Sequence, residues 1–424
     1  MNKTINSLLI TLFVGLQLGA AETNPIPVAA DTVATNAVAA ADTTSPYKEI
    51  SVLTEAMFII KSRHVETTTF KDLVYSALDG MVYSLDPYSN FMRSDDFDLF
   101  QNDSKGRLIG IGITVSNLDN AWIIDYPMPG SPAFRAGIRA GDQILAINDA
   151  TPETTSFEDA MDLIRGEPGT VVVLTIQHAD ADSPIPLTIK RADLKIPTVQ
   201  SAQILTHSIG YAYIAKFGEN TPTEFRRTLR EQMKHRLKGY ILDLRDNPGG
   251  FLLAATDIAD VFLPKNKIIV STKGRVKEED NEVYKTREND LLKGIPLVVL
   301  INGGSASASE VLAGAIQDNA RGILIGETSF GKASVQTIFN LASRPEEALL
   351  LTTAHYYTPK ATMIHGKGIK PDIEVAQSPD EFHAATIKRL CFTHPELCLS
   401  NDVEKVTTIL DAPLEAAIQY LRKK

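Results

Sequence analysis

Two apolar runs set the limits on what this chain can become. Tyr240-Ile241-Leu242-Asp243-Leu244 and Pro296-Leu297-Val298-Val299-Leu300-Ile301 read as buried strands, and a helical pattern follows each. Strands that alternate with helices share one α/β core. The alternation holds from 193 to 376. Ahead of it, residues 103–192 change character. Short β-branched runs such as Trp122-Ile123-Ile124 and Val171-Val172-Val173-Leu174 alternate with Gly and Pro turns. One helix candidate, Ser156 to Arg165, interrupts them, with Ser156 as N-cap and Asp159 three positions on. This predicts a small β-rich domain. Residues 47–102 carry a helical pattern, with Leu53, Met57, Ile60 and His64 on one face, and Asp86-Pro87 breaks it. Residues 377–424 return to helix, with Leu410, Leu414, Ala417, Ile418 and Leu421 on one face. The expected fold class is therefore α/β + β, a mixed α/β core with an inserted β-rich domain and flanking N- and C-terminal helices. No internal repeat is present.

The N-terminus bears on location. Lys3 precedes an apolar run from Leu8 to Leu18, and the small residues Gly19, Ala20 and Ala21 follow. This pattern predicts a secretory signal peptide over 1–21, cut after Ala21. The alternative is an uncleaved anchor, but the run is short for a bilayer. An exported, periplasmic destination follows, free or associated with the inner-membrane face. Residues 22–46 hold almost no large apolar side chains, so a flexible linker is expected there. Cys391 and Cys398 are the only cysteines. In an exported chain a disulfide is the expected use of such a pair. Two thiols alone make a poor zinc site, no HExxH or His/Asp cluster stands elsewhere, and no metal is expected. The net charge of −10 is mixed along the chain and disfavours nucleic acid as a partner.

The chemistry concentrates in NGGSASASEVLAGAIQDNARG, residues 302–322. A strand ends at Ile301, a Gly-rich turn follows and a helix begins near Ser309. A serine at such a junction gains an exposed hydroxyl from the turn, and unpaired N–H groups and positive dipole from the helix start. Both favour a nucleophile whose attack generates an oxyanion. Ser307-Ala308-Ser309-Glu310 also has the spacing of a capping box, so structural caps are the competing account. Local chemistry does not separate Ser305, Ser307 and Ser309. Residues 326–336 read GETSFGKASVQ, with Lys332 between Gly331 and Ala333 and with Gln336 four positions on. No His–Asp partner stands near the serines in sequence. Desolvation disfavours the charged form of a lysine, and Ser–Lys pairs are an established variant of the serine triad. Ser329-Phe330-Gly331-Lys332 is also an S-x-x-K sequence, as in penicillin-binding proteins. Those enzymes need S-D-N and K-T-G elements, and neither occurs here.

Together these blocks resemble the carboxyl-terminal processing, or tail-specific, proteases from about residue 50 to 376. SLDPYS at 84–89, LDLRDNPGG at 242–250 and GKGIKPDI at 366–373 are similar to family blocks, in family order. The resemblance implies Ser307 as nucleophile, Lys332 as base and Gln336 as the group that orients the lysine. It makes the N–H of Ala308 one oxyanion donor and that of Gly249 or Gly250 the second. Tyr88 and Ala333 depart from the family's usual His and Gly.

The β-rich stretch resembles a PDZ domain. Gly110-Ile111-Gly112-Ile113 looks like its carboxylate-binding loop, and PGSPA at 129–133 and AGIRAGD at 136–142 are similar to its turns. PDZ domains add a peptide tail as an extra strand. The implied enzyme is a serine endopeptidase that captures protein or peptide C-termini and needs no cofactor. Arg165 suits a link from the PDZ domain to the active site, though a solvated helix-end arginine fits equally. A non-catalytic PDZ scaffold is the competing reading, and an intact Ser307, Lys332 and Gln336 argue against it. An adaptor protein and a homodimer through the terminal helices are further expectations. The domain division is 1–21 signal peptide, 22–46 linker, 47–102 N-terminal helices, 103–192 PDZ domain, 193–376 protease core and 377–424 C-terminal helices.

Overall fold

The computed structural model describes residues 46–118, 121–178, 181–288, 290–393 and 408–424. The expected signal peptide and nearly all of the linker lie outside the described residues, as does Cys398. Residues 95–335 and 353–424 form one compact unit, and 46–94 with 336–352 form a second. No described helix is long and apolar enough to cross a membrane.

The larger unit is built on a six-stranded sheet. Its spatial order is Ile373–Glu374, Ile323–Gly326, Leu297–Ile301, Gly239–Asp243, Ile209–Ile214, Val199–Leu205. All neighbours are parallel except the last pair. The two apolar runs at 240–244 and 296–301 lie side by side, with Leu242 opposite Val299. Successive strand residues face opposite sides of a sheet. Tyr240, Leu242, Leu297, Val299 and Ile301 pack into one buried cluster, with residues of the helices Thr221–Gln232, Leu252–Phe262 and Ala308–Asp318. Ile241, Val298 and Leu300 pack into another, with Ala417 and Leu421 of the helix Ala412–Arg422. Burial on both faces is why these strands read as unbroken apolar runs.

A buried ion network ties that last helix to the sheet. The Arg245 guanidinium donates to Asp243 at 2.6 Å and to Asp411, the helix N-cap, at 2.7 Å. Asp243 also accepts from the Tyr211 hydroxyl at 2.8 Å. Asp411 starts the helix, so Leu410 lies just outside it and is 59% exposed rather than on the buried face.

Residues 113–190 form a five-stranded antiparallel sheet in the order Ile113–Leu118, Ala121–Pro127, Gln143–Ile147, Val171–Gln177, Ile185–Lys190. It has its own core around Trp122, Ile124, Ile144, Leu174 and Ile176. Ser156 caps the helix Phe157–Ile164 through the Asp159 amide, as the spacing predicted. The pair Arg107–Gly110 and Ala192–Lys195 runs beside this sheet as a separate ribbon. The fold class expected from sequence is the one observed: a mixed α/β core, a β-rich body within it and helices at either end.

The smaller unit holds the helices Pro46–Arg63 and Phe70–Tyr83, and the short strand Asn90–Met92 paired with Ala348–Leu350. The expected apolar face of the first helix is not covered, and no residue of that helix is buried.

Candidate active site

The strand Leu297–Ile301 ends in a turn that the chain stitches to the loop 243–250. Ser305 Oγ donates to the Leu244 carbonyl at 2.8 Å, and Ser309 Oγ donates to the Asn247 carbonyl at 2.8 Å. The Asp246 amide donates to Asn302 Oδ1 at 2.9 Å, and Asn302 Nδ2 returns a bond to Asp246 Oδ1 at 2.8 Å. Two of the three serines are therefore spent on structure. Ser307 is different. It is fully buried, and its hydroxyl has no hydrogen-bond partner. Its backbone sits at φ 54°, ψ −116°, immediately ahead of the helix Ala308–Asp318. Such a conformation costs a non-glycine residue on the order of 1–3 kcal/mol and persists where the surroundings hold it, commonly at functional sites. The structure thus gives different surroundings to three serines that local sequence chemistry left equivalent.

Glu310 and Tyr356 hold Ser307 beside Lys332. One carboxylate oxygen of Glu310 accepts from the Ser307 and Lys332 amides, each at 2.9 Å. The other accepts from Ser329 Oγ at 2.5 Å and from the Gly331 amide at 2.7 Å. The Tyr356 hydroxyl donates to the Lys332 carbonyl at 2.6 Å and lies 3.1 Å from the Ser307 carbonyl. Two buried side chains therefore join the same two backbones, and the Lys332 residue is only 6% exposed. Burial pushes the Glu310 carboxyl above the usual carboxylate range, against the lowering pull of its hydrogen bonds. Burial, with the nearby Glu310 charge, also pushes the Tyr356 phenol well up. The S-x-x-E spacing had marked Glu310 as a cap residue. The long-range bonds to 329–332 and the role of Tyr356 carried no local signal.

The loop 247–250 presses on Ser307. A Cβ on Gly249 would stand 2.8 Å from Ser307 Cβ and 2.9 Å from the Ala308 nitrogen, so only glycine fits. The Gly249 N–H donates to Asn247 Oδ1 at 2.9 Å. As an oxyanion donor Gly249 would first have to leave that bond, while Gly250 packs against the Phe217 backbone.

Gln336 belongs to the smaller unit. It is fully buried and donates to Thr352 Oγ1 at 3.1 Å. Thr352 in turn donates to Asp86 at 3.1 Å, and Asp86 accepts from the Tyr88 and Ser89 amides and from Ser89 Oγ. The SLDPYS block and Gln336 thus share one network through Thr352, a residue that sequence reasoning missed.

The remaining expected site residues are placed as follows. Ile111 is buried, and its carbonyl accepts from the Ala133 amide; the Gly112 carbonyl accepts from the Met128 amide and from Ser131 Oγ. The segment 110–113 is thereby anchored to the turn 128–133, and Ile113 opens an edge strand of the five-stranded sheet. Arg165 ends its helix as an exposed ion pair with Asp162 at 2.6 Å. Arg191 instead binds the Leu163 and Ile164 carbonyls. Cys391 lies on the helix Pro379–Thr393, while the expected disulfide falls partly outside the described residues. Among the described residues no group of three or more metal-ligating side chains occurs.

Residues 208–375 match the family model for peptidase family S41, residues 123–178 that for the PDZ domain, and residues 10–96 that for the activating protease CtpB N-terminal domain. The carboxy-terminal-processing protease of Bartonella bacilliformis is 39% identical over 335 residues, 78% of this chain and 76% of that protein. The carboxy-terminal processing protease CtpA of Bacillus subtilis is 37% identical over 330 residues, 77% of this chain and 69% of its own length. A solved structure assigned to the S41 proteases of Bacteroides fragilis NCTC 9343 aligns with a TM-score of 0.51 at 19% identity, over 80% of this chain and 90% of that one, a likeness of fold.

Proposed function

This chain belongs to peptidase family S41, the carboxy-terminal-processing serine proteases, and we propose that it is an exported endopeptidase working through a Ser307–Lys332 dyad. The observation that carries the assignment is the buried, unpartnered Ser307 hydroxyl in a strained turn, bound through its backbone to the same carboxylate oxygen as Lys332. Uncharged Lys332 takes the hydroxyl proton as Ser307 Oγ attacks the scissile carbonyl. The oxyanion is met by the Ala308 N–H and that of Gly250, or of Gly249 once it leaves Asn247. The lysine then returns its proton to the leaving amine, and water hydrolyses the acyl-enzyme by the same route. Gln336 orients the lysine.

The substrate is a protein whose free C-terminus is held at 110–113, with Arg165 relaying occupancy to the active site. The domain division 47–102, 103–192, 193–376 and 377–424 is kept, although the edges at 102 and 192 fall within the helix Ser94–Ser104 and the strand Ala192–Lys195. A leader over 1–21, a Cys391–Cys398 disulfide, a periplasmic location, an adaptor and a homodimer complete the proposal.

Casein cleavage by the purified protein tests the dyad. Ser307→Ala and Lys332→Ala should each lower the rate by at least about 1000-fold while remaining folded, and the double variant should be little worse. Full activity in folded Ser307→Ala overturns the assignment. Tail capture is tested by cleavage of one substrate with a free and an amidated C-terminus. The free form should be preferred, and equal rates remove the tail-reading step while leaving the dyad.

A further inference from the structure

The loop that carries Lys332 buries or half-buries every residue from Leu324 to Ser334 except one. Phe330 is 56% exposed, between Ser329 at 5% and Lys332 at 6%. Its backbone is not loose. The Phe330 amide donates to the Ser305 carbonyl at 3.0 Å, and Ser305 is itself held on Leu244. On either side, Ser329 Oγ and the Gly331 amide bind the same oxygen of Glu310. A single exposed apolar side chain needs no explanation on an ordinary surface. Here it is the one exposed side chain of a pinned loop that is otherwise buried or half-buried. It stands two positions before Lys332, and its amide is bound two positions before Ser307.

We propose that Phe330 is a specificity-determining residue, a rigid apolar platform for a substrate side chain within two residues of the bond cut. An aromatic ring supplies large contact area with only two torsions to freeze. Contact with an apolar side chain removes both surfaces from water, whereas a carboxylate there would lose hydration without a partner. The cleaved sequence therefore carries an apolar residue at this position, whatever its C-terminal tail. The inference rests on Ser307 and Lys332 being the reacting pair.

Peptides sharing one tail, with Leu, Ala or Glu in turn at each of the two positions on either side of the cut, test it. For the wild-type protein, kcat/KM should favour Leu over Ala by on the order of 10-fold at one of the four positions. In Phe330→Ala that ratio should fall to within about twofold, with the Ala peptide cleaved at nearly the wild-type rate, and Phe330→Leu should retain most of the preference. An unchanged ratio in Phe330→Ala, an equal loss on every peptide, or no preference in the wild type each overturns the proposal. Ser307→Ala serves as a separate arm. Undiminished cleavage there would instead remove the dyad on which the inference rests. Should Phe330→Ala melt early, Phe330→Gln, which keeps bulk and removes the apolar surface, takes its place: the ratio should again fall to within about twofold, and an unchanged ratio overturns the proposal.

Discussion

Glu310 and Tyr356 make the sharpest predictions at the level of single residues. Each Glu310 oxygen faces two donors, so an amide nitrogen in place of either one sets donor against donor. A buried donor left unsatisfied costs about 1–3 kcal/mol, on the order of 5- to 150-fold where the geometry serves catalysis. Glu310→Gln should lower kcat at least about fivefold with KM within about twofold. Tyr356→Phe keeps the ring and withdraws the donor from the Ser307 and Lys332 carbonyls, and should also act on kcat. Steady-state kinetics beside thermal melts check both. Unchanged kcat in either variant would make that group purely structural. The Glu310 pKa gives a stability signature as well. Because its folded value is raised from 4.5, the group favours folding at pH below about 4.5, and that contribution is lost as pH climbs through the raised value. The wild-type stability curve should therefore fall across this window relative to Glu310→Gln, and parallel curves would contradict the raised pKa.

Among the secondary-structure elements, the C-terminal helix depends on charge as well as on Ala417 and Leu421. Burial works to raise the Asp243 pKa, but the Arg245 charge and hydrogen bonds, with Arg389 and Tyr211, outweigh it and hold the group below its usual 3.8. A depressed carboxylate stabilises the fold above its unfolded pKa, and the contribution disappears as pH falls through the folded value. Taking the innermost charge out of such a buried network costs about 3–5 kcal/mol, since it leaves Arg245 only the less buried Asp411 and removes the acceptor of the Tyr211 hydroxyl. Asp243→Ala should lose that much in urea unfolding near neutral pH. Asp411→Ala, which leaves Arg245 still paired with Asp243, should lose less, about 1–3 kcal/mol. Equal losses would mean that the two carboxylates are not arranged as one inner and one outer partner.

For the whole molecule, the first helix is the open question. Pro46–Arg63 exposes Ile50, Phe58, Ile59 and Ile60 and buries nothing. A helix that exposes this many large apolar side chains is suited to an interaction site. As part of the proposed homodimer, a second copy covers it. Sedimentation velocity should show a dimer, and Phe58→Glu with Ile59→Glu should shift it to monomer without changing the melting of the rest. A monomeric wild type would leave this face without the proposed partner.

Short-range chemistry was legible in the sequence. The runs at 240–244 and 296–301 declared themselves because burial on both faces of a parallel sheet demands apolar residues at nearly every position, Asp243 being the exception that Arg245 neutralises. Ser156 declared its helix because a cap acts within three residues. The likeness of long ordered motifs carried the family and pointed to Ser307, Lys332 and Gln336. Contacts across the chain decided the rest. Which serine keeps a free hydroxyl depends on whether Leu244 and Asn247 come within 2.8 Å of its neighbours, some 60 positions earlier. That Gly249 spends its N–H on Asn247, that Glu310 gathers the amides of 307, 331 and 332, and that Phe330 is the exposed residue of its loop are equally non-local. Periodicity also named apolar faces at 53–64 and 410–421 without saying what covers them. A helix records that it has an apolar side, but only the packed chain supplies the surface opposite, as it does for Ala417 and Leu421 and does not for Leu410.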